Sequence, residues 1–183
     1  MPPSREPLRI AVIGAGSAGS DFALRCVRAG FDVTLEDVMP SRLRSAHHVF
    51  LSETLTGALR LASTIEEAVR DADLAIDFVP DELESKLEIF SMLDRMAPPR
   101  TILCTPTTAL SIADLASCTY RPQLCFALRL SDADTAQIVH TSRSASEALS
   151  AVERWLALIG FTVTTRRDPV EAAQSPSPPD DRR

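Results

Sequence analysis

The run Gly14-Ala15-Gly16-Ser17-Ala18-Gly19 constrains this chain more tightly than any other part of it. It follows an apolar, β-prone segment, Leu8-Arg9-Ile10-Ala11-Val12-Ile13, and opens a segment of helical period from about Ser17 to Ala29 that stops at Gly30. In that strand-to-helix context each glycine of a G-x-G-x-x-G run has a physical reason. Gly14 permits the tight turn, Gly16 lets backbone come up against a pyrophosphate, and Gly19 lets helix and strand pack closely. The helix start, with Ser17 and Ala18, offers unpaired N–H groups to the anion. The next strand, Phe31-Asp32-Val33-Thr34-Leu35, ends in Glu36-Asp37, and Asp37 stands 18 residues after Gly19, where a carboxylate accepts both ribose hydroxyls of an adenosine. The spacing predicts an NAD site rather than an NADP site. Glu36 precedes it on the strand and points to the other face.

Beyond the second strand, short β-branched or aliphatic runs alternate with helical segments, the pattern of βαβ units. A helical stretch from about Ser41 to Leu59 leads to a short strand at Leu59 to Ala62 and a helix begun by Ser63-Thr64-Ile65-Glu66-Glu67. Asp73 to Val79 reads as a strand stopped by Pro80, and Glu82 to Arg95 as an amphipathic helix with Leu83, Leu87, Phe90 and Leu93 on one face. There follow a strand at Thr101 to Cys104, a short helix at Ser111 to Ser117, strands near Leu124 to Leu128 and Ala136 to His140, a helix from about Ser144 to Ile159, and a strand at Phe161 to Thr165. Trp155 and Leu158 are expected to pack on the sheet. The fold class is therefore α/β: one Rossmann-type, doubly wound, mostly parallel sheet with helices on both faces, over residues 8–168. Residues 1–7 and 169–183 are rich in proline and polar residues and are expected to be loose.

Composition narrows the function. Hydrophobic residues make up 45% of 183 residues, enough for one domain with a sizeable core. The 25 acids and 19 bases leave a net charge of −6, so no basic field exists to grip a nucleic acid. No apolar run approaches the roughly 20 residues of a membrane span, and the opening residues lack the layout of a signal peptide, so a cytoplasmic protein is expected. Cys26, Cys104, Cys118 and Cys125 form no C-x-x-C pair and read as reduced core residues, three of them in apolar segments; no metal site is expected. His47 and His48 are expected to be exposed. Of the 19 bases only Lys86 is a lysine, a hint that a compact ammonium is wanted there.

Five strings occur in order: Ile13 to Ser20, Val33 to Asp37, Asp73 to Asp81, Glu84-Ser85-Lys86-Leu87-Glu88-Ile89-Phe90, and Ile102-Leu103-Cys104-Thr105-Pro106-Thr107-Thr108-Ala109-Leu110-Ser111-Ile112. Arg121-Pro122 and Arg167-Asp168-Pro169 fall in register with them. Together they resemble the NAD-binding, N-terminal half of the 3-hydroxyacyl-CoA dehydrogenases over nearly all of residues 8–168. The resemblance implies cofactor contacts at Pro80, Asp81, Lys86 and Thr105, with Lys86 at the nicotinamide end. It places Thr108 on the family's active-site serine, a change that keeps a hydroxyl donor and acceptor.

The departures bear on chemistry. Where the family has its general-base histidine this chain has Arg129, which stays protonated and takes up no proton. The family's orienting glutamate falls near His140 or Thr141, and an asparagine of the same loop falls on Asp132; a rebuilt acid–base pair would use His140 and Asp132. Only about 25 residues lie between the second and third strands, where the family inserts a helical hairpin that helps hold coenzyme A. The family's all-helical domain has no counterpart in these residues. The expectation is an NAD-dependent oxidoreductase of a hydroxy or oxo compound, an acyl thioester of fatty acid metabolism among the candidates. In it Thr108 binds the oxygen and Arg129 pairs with a carbonyl oxygen or a substrate anion, favouring reduction. The alternative is a non-catalytic NAD(H)-binding module or partner subunit. An open cleft predicts a homodimer.

Overall fold

A computed structural model describes residues 8–170; residues 1–7 and 171–183, and with them the expectation of loose ends, lie outside the described residues. Strands β1 (Arg9–Ile13), β2 (Asp32–Glu36), β3 (Leu59–Ala62), β4 (Leu74–Asp77), β5 (Ile102–Pro106), β6 (Cys125–Leu130), β7 (Thr135–His140) and β8 (Thr162–Arg167) form one sheet in the order β3-β2-β1-β4-β5-β6-β7-β8. Six of the seven neighbouring pairs are parallel and only β6 and β7 run antiparallel, joined by a tight turn. The order reverses direction beside β1, which opens a crevice above the carboxyl ends of β1 and β4.

Helices α1 (Ser17–Arg28), α2 (Pro40–Leu51) and α6 (Ser146–Leu158) cover one face, where Phe22, Phe50 and Trp155 pack on Val12, Leu35, Ile76 and Phe126. Helices α3 (Ile65–Val69), α4 (Leu83–Met96) and α5 (Ile112–Ala116) cover the other, where Val69, Phe90 and Leu115 meet Ile13, Ala75 and Leu103. The fold class is the one expected from the alternation, because strands buried on both faces read as near-continuous apolar runs. α3 starts where Thr64 Oγ1 accepts from the Glu67 N–H at 3.2 Å, and acids in its first turn suit the helix dipole.

Some sequence expectations are corrected. The helix after β2 ends at Leu51, not near Leu59, because Pro40 starts it and the residues up to Gly57 form the return to β3. β6 begins at Cys125, after a 3-10 turn at Pro122–Leu124. Leu158 is 68% exposed and does not pack on the sheet; the contact belongs to Trp155 and Leu156 one turn earlier, and Leu158 ends the helix. Leu83 is also exposed, at the first residue of α4, where the helix has not yet come down onto the sheet. Cys26, Cys104 and Cys125 are buried free thiols, and burial pushes Cys26 and Cys125 up to about 12; Cys118 is only half-buried, because it follows the end of α5 rather than lying in a strand or helix. His47 and His48 are exposed on α2. Among the described residues no helix is long and apolar enough to cross a membrane.

Candidate functional site

The glycine loop sits in the crevice. Gly14 has φ +99°, a conformation only glycine adopts freely, and its N–H donates to Glu36 O at 2.8 Å, tying the loop to the end of β2. A Cβ on Gly19 would lie 1.9 Å from Gly14 O, so helix and loop are in backbone contact there. Gly16 is different: its backbone is extended and a Cβ there would meet nothing of the protein within 4 Å. Among the described residues nothing requires glycine at 16, which leaves room above it for a ligand. α1 has no side-chain cap and no acid in its first turn, which leaves its leading N–H groups and positive dipole end to an anion.

Asp37 follows β2 and is 4% exposed. Its Oδ2 accepts from the Ala15 N–H at 2.9 Å, its Oδ1 from the Met39 N–H at 2.8 Å, and Arg42 Nη1 of α2 comes to 3.4 Å. The carboxylate is thereby held against the glycine loop, beside a groove lined by Gly16, Ser17, Ser20 and Arg42. This donor set fits a dinucleotide: N–H groups for the pyrophosphate, a fixed carboxylate for the ribose, and an open glycine between them. Arg42, five residues beyond Asp37, was not legible as part of the site, since only the start of α2 turns it back onto the carboxylate.

The second half of the site lies at the carboxyl ends of β5 and β6, where Asp81, Pro106, Thr107, Thr108, Leu128, Arg129 and Leu130 line a pocket of about 410 Å³. Asp81 Oδ2 accepts from the Thr108 N–H at 2.8 Å and from its hydroxyl at 2.9 Å, and the Thr107 hydroxyl also turns toward it. Partial burial works to raise the Asp81 carboxyl, but these hydrogen bonds and the Lys86 charge outweigh it and hold the group below the usual aspartate range. Arg129 donates from Nη1 to Thr107 O at 2.5 Å and from Nη2 to Leu110 O at 3.2 Å, and Asp168 accepts from the Ser111 hydroxyl at 2.8 Å and the Ala113 N–H at 3.0 Å. The segment carrying Thr108 is fastened at both ends and across its middle. Thr107 and Asp168, which the sequence showed only as members of family-like strings, are parts of this clamp.

Lys86 is 1% exposed and its Nζ lies 2.7 Å from Asp77 Oδ1, so its ammonium is inside the protein rather than in the cleft. Its cofactor contact, implied by the resemblance, is absent from this arrangement: desolvation of the ammonium demanded a buried partner, and Asp77, at the end of β4 on the same face, supplies it. Burial pushes the Asp77 carboxyl up against the pull of Lys86. Register places Glu36 opposite Ile13 and Ile13 opposite Asp77, and Thr105 follows Cys104, the partner of Ile76. Glu36, Asp77 and Thr105 thus share one row at the carboxyl edge, each with a buried oxygen that lacks a hydrogen bond. Pro80 is exposed in the loop between β4 and α4, between Asp77 and Asp81.

Two further residues fall elsewhere. Asp132 is exposed in the β6–β7 turn. β7 runs antiparallel with Gln137 opposite Arg129, so His140 lies about 10 Å along the strand from that pair, and its Nδ1 is 3.2 Å from Thr141 O. Thr141 is buried beside it, with its N–H donated to Ser144 Oγ at 3.0 Å. His140 and Asp132 stand at opposite ends of β7, and the rebuilt acid–base pair is not assembled.

Glycine loop, fixed carboxylate after β2 and switch-point crevice define a dinucleotide-binding α/β domain. Residues 9–168 match the model of the 3-hydroxyacyl-CoA dehydrogenase, NAD binding domain, and the chain belongs to that family; its cofactor is NAD. The chain is 36% identical over 134 residues to a probable 3-hydroxybutyryl-CoA dehydrogenase of Bacillus subtilis (strain 168), covering 64% of this chain and 46% of that protein. It is 27% identical to a 3-hydroxyadipyl-CoA dehydrogenase of Escherichia coli (strain K12), covering 91% of this chain and 38% of the other. The chain thus spans less than half the length of these curated relatives. A solved diketoreductase superposes with a TM-score of 0.77 at 27% identity, over 87% of this chain and 64% of the other. The (S)-3-hydroxybutyryl-CoA dehydrogenase of Ralstonia eutropha does so at 0.80 and 17% identity, over 91% and 65%, a likeness of fold alone.

Proposed function

We propose that this protein is an NAD(H)-dependent oxidoreductase of a small hydroxy or oxo compound, with Thr108 holding the reacting oxygen. The observation that carries the reading is the Asp81–Thr108 couple, locked beside a pocket on the same carboxyl edge of the sheet as the glycine loop. The bound cofactor supplies hydride exchange. The chain's own groups do the rest. The α1 N–H groups take the pyrophosphate and Asp37 takes the ribose. Lys86, through Asp77, holds the end of β4 and the start of α4 in place. The Thr108 hydroxyl gives its hydrogen to Asp81 and keeps its lone pairs for a substrate hydroxyl. In alcohol oxidation the substrate hydroxyl, held at Thr108 Oγ, releases its proton to water, because Asp81 is held low and is a weak base. Asp132 and His140 have no part in this arrangement.

Relatives are named for thioesters, such as 3-hydroxybutyryl-CoA, and for a free hydroxy acid, L-carnitine, so both substrate types lie within reach, with acid or fatty acid metabolism in the cytoplasm as the setting. The alternative of an NAD(H)-binding module draws on one observation: Arg129 is a guanidinium and Asp81 is held below the usual aspartate range, so the pocket wall offers no strong proton acceptor. The cleft is open on its outer side, and a second copy of the chain is proposed to cover it; light scattering showing a monomer at micromolar concentration with NADH present removes that idea.

The test is calorimetric titration with NAD, NADH and NADPH, followed by a turnover assay on hydroxy acids and their thioesters. NADH is expected to bind and NADPH to bind far more weakly, with Asp37→Ala costing about 1 to 3 kcal/mol of NADH affinity. Binding without turnover of any substrate supports the module instead.

A further inference from the structure

Two arginines are drawn into the body of this protein, and they are treated differently. Arg121 is neutralised: its Nε donates to Asp94 Oδ1 at 2.8 Å and its Nη2 to Asp94 O at 2.6 Å and Ala97 O at 3.2 Å. Arg129 is half-buried and has no ion pair among the described residues. Two of its five N–H groups are spent on the Thr107 and Leu110 carbonyls, and Arg129 is one of the residues that line the pocket. A partly desolvated guanidinium without a counter-charge is costly, and a carboxylate, whose two oxygens match its planar fork, offsets that cost better than a neutral carbonyl.

We infer that the pocket takes its substrate as a free carboxylate, a small hydroxy acid whose carboxylate pairs with Arg129 and whose hydroxyl donates to Thr108 Oγ. Charge sets the orientation. Asp81, on the Thr108 side, repels the substrate's carboxylate and holds the Thr108 hydrogen at 2.9 Å, so only a hydrogen-bond donor is welcome at that end. Arg129, bonded to the Thr107 and Leu110 carbonyls, attracts the anion. The residue that displaces a proton acceptor from the family's position thereby becomes a specificity residue, and the loop it fastens is the loop that carries Thr108. The inference rests on the pocket being the substrate site.

The experiment uses the full chain saturated with NADH and three probes: 3-hydroxybutyrate, its neutral methyl ester, and 3-hydroxybutyryl-CoA, each titrated calorimetrically. Wild type is expected to bind the acid about tenfold or more tightly than the ester. Arg129→Gln should bring that ratio close to one, and Arg129→Lys, which keeps the charge but not the fork, should retain part of it. Thermal unfolding shows whether Arg129→Gln is folded; if it is not, the wild-type comparison and Arg129→Lys still decide. Ester or thioester binding as tight as acid in wild type overturns the inference and leaves the oxidoreductase reading standing. No binding of any probe while NADH binds overturns both.

Discussion

Lys86 Nζ lies 2.7 Å from Asp77 Oδ1 with neither side chain more than 1% exposed, an ion pair sealed between β4 and α4 under the loop that carries Asp81. Removing one partner leaves the other buried without compensation. Lys86→Met should destabilise the protein by about 3 to 5 kcal/mol, while Lys86→Met combined with Asp77→Leu should recover much of that loss. Urea denaturation of the two singles and the double checks it; additive losses would show that the pair is not coupled.

Gly16 and Gly19 separate cofactor binding from folding. Gly19→Ala forces a Cβ to 1.9 Å from Gly14 O, so the loop must move and thermal stability should fall together with NADH affinity. Gly16→Ala meets no protein atom within 4 Å and should leave the melting temperature near that of wild type while weakening NADH at least about tenfold. Full NADH affinity in Gly16→Ala would mean that no pyrophosphate passes there.

Glu36 makes stability depend on pH. Burial, aided by the neighbouring Asp37 charge, pushes its carboxyl from the ordinary 4.5 up to about 7. The folded state holds this proton more tightly than the unfolded chain, so the associated stability is full below pH 4.5 and is lost as pH rises through about 7. The loss amounts to on the order of 2 to 3 kcal/mol. Glu36→Gln should remove that slope and exceed wild type in stability above pH 7, read from denaturation curves over a pH series. Parallel wild-type and variant profiles would refute it.

Thr108→Val removes the oxygen-binding hydroxyl but leaves the glycine loop untouched. Turnover should fall by about a hundredfold or more while NADH affinity stays within about 0.5 kcal/mol of wild type. Thr108→Ser should retain most of the rate. The appearance of reduced nicotinamide absorbance with NAD and a hydroxy acid, paired with calorimetry, measures both, and turnover that survives Thr108→Val would place the active site elsewhere.

The glycine loop, the paired acids after β2 and the helix–strand alternation were all legible in the sequence because each depends on residues close in the chain: a turn needing positive φ, a helix start, a strand buried on both faces. The NAD reading, the α/β class and the position of Asp37 follow from such local requirements, whereas Thr108 came from the resemblance to the family. The partners of Lys86, Asp81 and Arg129 were not legible. Lys86 finds Asp77 only because strand alternation and the path of α4 bring both to one face, and Arg129 finds the Thr107 and Leu110 carbonyls only because β6 lies beside β5 in a particular register. What the sequence determined by itself was a chain built to wrap a dinucleotide. The tertiary structure decided which charges are neutralised and which remain for a ligand, because pairing across strands and helices depends on register and burial, which no short stretch of sequence encodes.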